Sequence, residues 1–238
     1  ELVDFPIDNT FCTELNLDNY LLPQDEETYL KELYEEILAL PDIDIPSSTK
    51  SRGDLDDDSL KCAERLDQIF WYDLPQMVAG KMLEDVNPIG GFEKANAIIQ
   101  SCELTEIEIS NVMYVGDSIT DAEAMKLVSE SGGISISFNG NRYALQSSDI
   151  ACMSPNALIL AGLAHIFNDG GTEAIHDLAG DWEQRKAKFG HDMREIISGF
   201  STDEIKLCPI DESNIDELIP QSEKFRKTVR GESIARLG

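Results

Sequence analysis

The feature that most constrains the fold is a regular alternation of short apolar strands and helices in the second half of the chain. Strands are predicted at residues 111–115, 134–138 and 149–153. Helices are predicted beside them, at 92–102, 121–131 and 156–167. Short apolar strands that alternate with helices are typical of a parallel sheet covered on both faces. The pattern therefore predicts an α/β fold with a Rossmann-like sheet.

The chain on either side of this alternation is predicted to be mainly helical. Before it, residues 24–40, 59–72 and 75–86 carry apolar residues at helical spacing, which indicates a helical insertion. After it, residues 170–238 are predicted to be helical throughout, as a C-terminal extension. Near the start, residues 7–15 are predicted to form one further short strand.

The charge of the chain limits its partners. The net charge is −27, from 46 acidic and 19 basic residues. Such a surface repels phosphate backbones, so nucleic acid is not expected as a partner. The basic residues concentrate near the end, where residues 221–238 include five basic and two acidic side chains. We expect this tail to dock on the acidic body or to stabilise a helix C-terminus.

The location of the protein is predicted from what the sequence lacks. No uninterrupted apolar run is long enough to span a bilayer, so no membrane is expected. Five cysteines are scattered without a Cys-x-x-Cys pair, and no charged-then-apolar signal segment opens the chain. These features favour reduced thiols and a cytoplasmic location. They say nothing of the oligomeric state.

The strongest motif follows the strand at 111–115. It reads Gly116-Asp117-Ser118-Ile119-Thr120-Asp121. A strand that delivers Asp117 to its C-terminal end places it where open α/β sheets bind ligands, and Asp121 begins the next helix. Two carboxylates there suit Mg²⁺, which prefers oxygen ligands. The alternative is that Asp121 caps its helix and Asp117 only shapes a turn.

A second motif lies upstream, where Lys94 falls in the first turn of the helix that starts at Phe92. A lysine there meets the positive end of the helix dipole, which is locally unfavourable. A bound phosphate would offset that cost. The alternative is a solvated surface lysine.

Together these motifs resemble motifs III and IV of the haloacid dehalogenase (HAD) superfamily. The residues that carry the likeness are Lys94, the Gly-Asp-Ser-Ile-Thr-Asp turn, Phe138-Asn139-Gly140-Asn141, Ser148-Asp149-Ile150-Ala151 and, near the start, Asp8 to Leu15. They are similar to a phosphoserine-phosphatase-like branch, and most of all to an uncharacterised archaeal HAD hydrolase family.

The resemblance implies roles for individual residues. Asp117 would bind Mg²⁺, Asp121 would support the metal, and Lys94 would hold the phosphoryl group and the nucleophile. Ser118 and Asn139 are further candidates for contact with phosphate. Thr120 is a further candidate for contact with the metal.

The resemblance also implies an Asp-x-Asp nucleophile that the chain does not supply. Residues 5–10 look superficially right, but Pro6 stands at the nucleophile position. Residues 42–44 follow a helix, and residues 54–56 lie in a Gly- and Asp-rich loop. We expect an N-terminal truncation of roughly 60–100 residues, equivalent to two or three βα units. The alternative is a shortened chain that has lost catalysis.

This interpretation divides the chain into four segments. They are a core strand region at 1–17, a helical cap-like insertion at 18–86, a core with both motifs at 87–168, and the extension at 169–238. The resemblance implies a Mg²⁺-dependent phosphatase for a small phosphorylated metabolite, and we expect the truncated chain to be inactive because it lacks the nucleophile. The alternative function is a catalytically dead module that binds a phosphorylated ligand or a protein partner.

Overall fold

The chain forms two compact units in a computed structural model that describes residues 9–13, 16–43, 45, 49, 51–86, 88–196 and 200–231. One unit comprises Glu1–Phe11 and Ile89–Gly238, and the other comprises Cys12–Pro88. The four segments expected from the sequence have other bounds and stay predictions. No described helix has the length and apolarity needed to cross a membrane.

The described helices are mostly those expected. They are α1 (Gln24–Ala39), α2 (Asp57–Gln68), α3 (Lys81–Asp85), α4 (Phe92–Thr105), α5 (Ala122–Glu130), α6 (Arg142–Leu145), α7 (Leu158–Gly180), α8 (Trp182–Ile196) and α9 (Ile215–Arg230). The stretch predicted at 75–86 is helical only from residue 81 to 85, apart from a 3-10 turn at Leu74–Gln76.

The larger unit is built on a four-stranded sheet of order β1-β2-β3-β4. Its strands are β1 (Met113–Gly116), β2 (Ile134–Phe138), β3 (Ile150–Met153) and β4 (Lys206–Pro209). The first three are parallel neighbours, with Tyr114 opposite Ser135 and Ile136 opposite Ile150. The predicted α/β fold and the parallel arrangement of the three predicted strands are therefore confirmed, although β3 lies beside β2 and not beside β1.

Helices cover both faces of this sheet because alternate strand residues point to opposite sides. Ile150 and Cys152 of β3 face a core formed with α7 and α8. Ala151 and Met153 face the other side, where Leu218 of α9 packs. On the same side of β1, apolar residues of α4 and α5 form a further cluster that includes Tyr114. The connection between β1 and β2 therefore runs through a packed helix.

The prediction that residues 170–238 are helical throughout is wrong, because β4 lies within them. This strand pairs antiparallel to β3, with Leu207 opposite Cys152. Only four residues long, it begins with an exposed lysine and ends at Pro209, so it lacks the apolar residues at every second position that mark β2. Its position at the sheet edge explains why the proline is tolerated.

The strand predicted at residues 7–15 is not seen in its described part. Residues 9–13 include no strand residue, and residues 7, 8, 14 and 15 lie outside the described part of the chain. Among the described strands, β1 is an edge of the sheet. Its first three residues are only partly buried, whereas β3 is buried throughout.

The smaller unit is held by helix contacts and by polar links between its helices. Arg65 of α2 binds Glu36 of α1 through two nitrogens, at 2.5 and 2.8 Å, and also binds Asp73. The carboxylate of Glu26 accepts hydrogen bonds from the amides of Val78 and Ala79. The Glu26 hydrogen bonds join the start of α1 to the segment before α3.

We predict that Trp182→Phe destabilises the sheet-bearing unit. The buried indole Nε1 donates to the carbonyl of Ile205 at 2.9 Å, which ties α8 to the segment before β4. Removing the donor leaves a buried carbonyl unpaired, so the free energy of unfolding should fall by about 1–3 kcal/mol.

The measurement is urea unfolding followed by circular dichroism. The matched control is Trp71→Phe, because Trp71 is 72% exposed, and the change there should cost less than about 0.5 kcal/mol. Equal losses in the two variants would contradict the assigned packing of α8.

Candidate functional site

The site is built on the turn that follows β1. Gly116 is the last residue of the strand, and the chain there runs against Asp121. A Cβ at position 116 would lie 2.5 Å from the Cβ of Asp121 and 2.8 Å from the Cε of Met125. No side chain larger than hydrogen fits such an approach. The glycine therefore lets the turn fold back on Asp121.

The carboxylate of Asp121 is buried and accepts hydrogen bonds from five donors. Its Oδ2 accepts from the amides of Asp117 (3.0 Å) and Ser118 (3.1 Å) and from the Ser118 hydroxyl (3.2 Å). Its Oδ1 accepts from Lys94 Nζ (2.7 Å) and the Tyr114 hydroxyl (2.9 Å). Ser118 and Asp121 form a capping box on the 3-10 turn Ile119–Asp121, whereas the Asp121 side chain makes no capping hydrogen bond to α5, the helix it was expected to cap.

These contacts keep Asp121 charged. Burial raises the pKa of its carboxyl, but the hydrogen bonds from Lys94, the Asp117 amide and Tyr114 outweigh burial and leave the pKa below its usual value. The pKa of Tyr114 is raised strongly by burial and by the neighbouring Asp121 charge, so its hydroxyl stays a donor. The cluster is therefore a stable, ionised hydrogen-bond network.

Lys94 joins the two motifs through an ion pair with Asp121. It lies in the first turn of α4, and its Nζ is 2.7 Å from Asp121 Oδ1 and 3.2 Å from Thr120 Oγ1. The amide of Gly91 also donates to the Thr120 carbonyl at 2.8 Å. The convergence of two separated motifs on one anion site also predicts that Lys94 points toward the Asp117 carboxylate and pairs with it when no phosphate is bound; the ion pair that forms is with Asp121 instead. The lysine is nevertheless no solvated surface residue.

Asp117 does not pair with Lys94 because arginines from the C-terminal helix hold its side chain. Its Oδ2 lies 2.5 Å from Arg226 Nη1 and 2.7 Å from Arg230 Nη1. Arg226 Nη1 also donates to the carbonyls of Asp117 (3.0 Å) and Asn139 (3.2 Å). The expectation that the basic tail docks on the acidic body is thus met by Arg226 and Arg230 of α9, while residues 232–238 of that tail lie outside the described part of the chain.

The remaining candidates differ in what they can contact. The Ser118 hydroxyl is bonded to Asp121 and lies 3.0 Å from the hydroxyl of Thr120, which faces Lys94. Asn139 is buried, and its amide group donates to the carbonyl of Ser154 and accepts from the amide of Ser154. Its side chain therefore links the loop after β2 to the end of β3. The geometry gives no support to its predicted role in phosphate binding.

The residues in this arrangement do not fit a magnesium ion. Both oxygens of Asp121 already accept hydrogen bonds, and Oδ2 of Asp117 is held by two guanidinium groups. Within the described ranges, no cluster of three or more His, Cys, Asp or Glu side chains could hold a metal ion. A near-octahedral oxygen shell would require the carboxylates to exchange partners, and Mg²⁺ as cofactor stays a prediction.

Three residues at the site escaped prediction from sequence. Tyr114 stands in the motif strand, seven residues before its partner Asp121. Arg226 and Arg230 are four residues apart, which places them on the same face of a helix. The spacing of the two arginines predicts a shared helix face, but it does not identify Asp117 as their partner.

No protein-family model matches this chain, and no curated protein matches it. Among solved structures, it is similar to one described as the structure of gene product AF1437 from Archaeoglobus fulgidus, with a TM-score of 0.66 and 24% identity. The match covers 95% of this chain and 58% of that one, so this chain spans little more than half of its structural neighbour. At this identity the likeness is one of fold: the chain has an α/β fold shared with that archaeal protein.

We predict that Asp121→Asn destabilises the sheet-bearing unit at neutral pH by about 3 kcal/mol or more, because it leaves Lys94 without its buried partner charge. The pKa of Asp121 is lowered in the folded state. Its contribution to stability is therefore present above the unfolded pKa of about 4 and is lost as the pH falls through the lower folded value.

The test is the free energy of unfolding of wild type and Asp121→Asn from pH 7 down to pH 3. The difference should be constant near neutrality and should shrink below about pH 4. Asp177→Asn, at an exposed position of α7, is the control and should change stability by less than about 0.5 kcal/mol. A pH-independent difference would show that the charge of Asp121 does not stabilise the fold.

Proposed function

We propose that the chain is part of a HAD-type phosphatase that acts on a small phosphorylated metabolite. The observation that carries the proposal is the convergence of Lys94 with Thr120 and Asp121 at the C-terminal end of a parallel strand. Lys94 and Asp121 are 27 residues apart in sequence, yet their charged atoms are 2.7 Å apart. This is the edge at which α/β sheets bind their ligands.

Lys94 can perform the electrostatic part of phosphoryl transfer. Its ammonium group has three N–H donors, and two of them are directed at Asp121 and Thr120. The third would meet a phosphoryl oxygen and offset the charge that develops there, which is the main contribution proteins make to this reaction. Asp121 holds the ammonium in place, and Tyr114 in turn holds Asp121.

The cavity beside Lys94 supports a small substrate. It has a volume of about 320 Å³, and its lining includes Lys94, Tyr114, Ile89, Ile98 and Ser101. Small-molecule sites are commonly concave and apolar with a few polar groups. One cation beside apolar walls suits a phosphate carried on a small organic group.

Two parts of the proposal come from outside this geometry. The aspartate nucleophile would be supplied by residues outside 1–238, since the Asp-x-Asp sequences of this chain lie in unsuitable contexts. The magnesium requirement follows from the family resemblance alone, since arginines hold the Asp117 carboxylate in the structure.

One observation favours the second candidate, a catalytically dead module that binds a phosphorylated ligand or a protein partner. Guanidinium groups bind the carboxylate that the resemblance assigns to the metal. A chain that had lost catalysis could keep Lys94 for binding an anion while Asp117 served only to dock α9. Only the phosphatase would turn over a substrate, whereas both the phosphatase and the binding module would bind an anion through Lys94.

We predict that the complete gene product hydrolyses p-nitrophenyl phosphate in the presence of Mg²⁺, whereas residues 1–238 alone do not. Lys94→Ala should lower the rate of the complete protein by about a hundredfold or more, because a charge-stabilising donor is lost. The control is Lys126→Ala, since Lys126 is a half-exposed lysine of α5 that faces Glu123 at 3.8 Å, and its rate should stay unchanged.

The outcomes separate the two candidates. A complete protein without turnover, but with inorganic phosphate binding that Lys94→Ala abolishes, would establish the binding module. Full activity in Lys94→Ala, or robust turnover by residues 1–238 alone, would contradict the assigned site.

A further inference from the structure

One face of α4 lines the cavity beside Lys94. The residues that α4 contributes to the lining are Lys94, Ala97, Ile98 and Ser101. They follow one another at helical spacing, which places them on the same side of the helix. This face begins with a cation in the first turn, continues with two apolar residues and ends with a hydroxyl. Ser101 is therefore about 10 Å beyond Lys94 along the helix axis, at 1.5 Å per residue.

The remaining walls of the cavity are mainly apolar. They are formed by Phe11, Ile89 and Tyr114. The Tyr114 hydroxyl donates to Asp121 Oδ1 at 2.9 Å, so its proton is already used. Among the described residues of the lining, Lys94 and Ser101 are thus the two whose side chains can offer a hydrogen bond to a ligand.

The lining carries a single charge. Of the described residues around the cavity, only Lys94 is charged, although the chain has 46 acidic side chains. An ammonium group on a substrate would meet no carboxylate there, and a carboxylate in addition to the phosphate would meet no second cation. A charge that loses its water without gaining a partner is strongly disfavoured. The cavity is therefore suited to one anionic group and no other charge.

The size of the cavity limits the organic part of the ligand. Its volume of about 320 Å³ is at the low end of the range of about 300–1,000 Å³ found for small-molecule sites. With a phosphoryl group at Lys94, the remaining space beside Ala97 and Ile98 suits a small ring or a short hydrocarbon chain.

We propose that the ligand of this site is a phosphomonoester of a small, apolar and otherwise uncharged alcohol. Lys94 binds the phosphoryl group, Ala97 and Ile98 contact the apolar group, and Ser101 faces its far end. The inference rests on the proposed function in one respect, namely that Lys94 binds the phosphoryl group. It departs from the resemblance to the phosphoserine-phosphatase-like branch, because phosphoserine carries an ammonium and a carboxylate that the described lining does not pair.

The test is calorimetric titration of residues 1–238 with phenyl phosphate, O-phosphoserine and inorganic phosphate at moderate salt. Phenyl phosphate should bind about tenfold more tightly than the other two anions, because its ring leaves water for apolar walls. Lys94→Ala should remove measurable binding of all three anions, since each depends on the same cation.

The variant Ala97→Leu separates the two ends of the cavity. The larger side chain takes the space of the apolar group and leaves Lys94 in place. Phenyl phosphate should therefore lose its advantage of about tenfold, while inorganic phosphate should bind as it does to wild type. The matched control is Ala161→Leu, at an exposed position of α7 outside this lining, which should bind all three anions as wild type does.

Equal affinity of wild type for phenyl phosphate and O-phosphoserine would overturn the proposed ligand class. A phenyl phosphate advantage that persists in Ala97→Leu would overturn it as well. No binding of any of the three anions would contradict both this proposal and the anion site at Lys94. A preference for phenyl phosphate together with no turnover by the complete gene product would support the ligand class and rule out the phosphatase, so the two failures are distinct.

Discussion

The geometry at the end of β1 depends on one buried carboxylate, that of Asp121, because five donors from three parts of the chain converge on it. Those donors come from α4, from β1 and from the turn itself. A buried charge is tolerated only when such partners surround it. The same contacts shape the Gly116 turn and fix the position of the Lys94 ammonium, so the fold and the site share one network.

The two acids of the motif have separate tasks in this structure. The carboxylate of Asp121 is buried and accepts hydrogen bonds from neutral donors and from one lysine. The carboxylate of Asp117 instead forms ion pairs with the arginines of α9. This separation pairs Lys94 with Asp121 and leaves Asp117 to dock α9. The acidic surface elsewhere makes the local excess of cations here an unusual feature of the chain.

Sequence predicted best where local pattern and burial agree. The strands β2 and β3 are almost fully buried between two helical layers, with apolar residues at every second position of β2 and throughout β3, and both were placed within a residue. By contrast, β4 was missed because its sequence has no strand pattern, and it joins the sheet only by pairing with β3. Only part of the site was predictable, for a similar reason. Residues 116–121 are consecutive and form a recognisable motif, whereas Arg226 contacts Asp117 across 109 residues of sequence.

The central claim is that Lys94, held by Asp121 and Thr120, is the anion-binding group of the site. The most direct measurement is a crystal structure of the complete gene product with bound orthovanadate. The account predicts an oxyanion oxygen within about 3 Å of Lys94 Nζ, at hydrogen-bond distance, with the Asp121 contact retained. An oxyanion bound elsewhere, with Lys94 still paired to Asp121 and Thr120 alone, would contradict it.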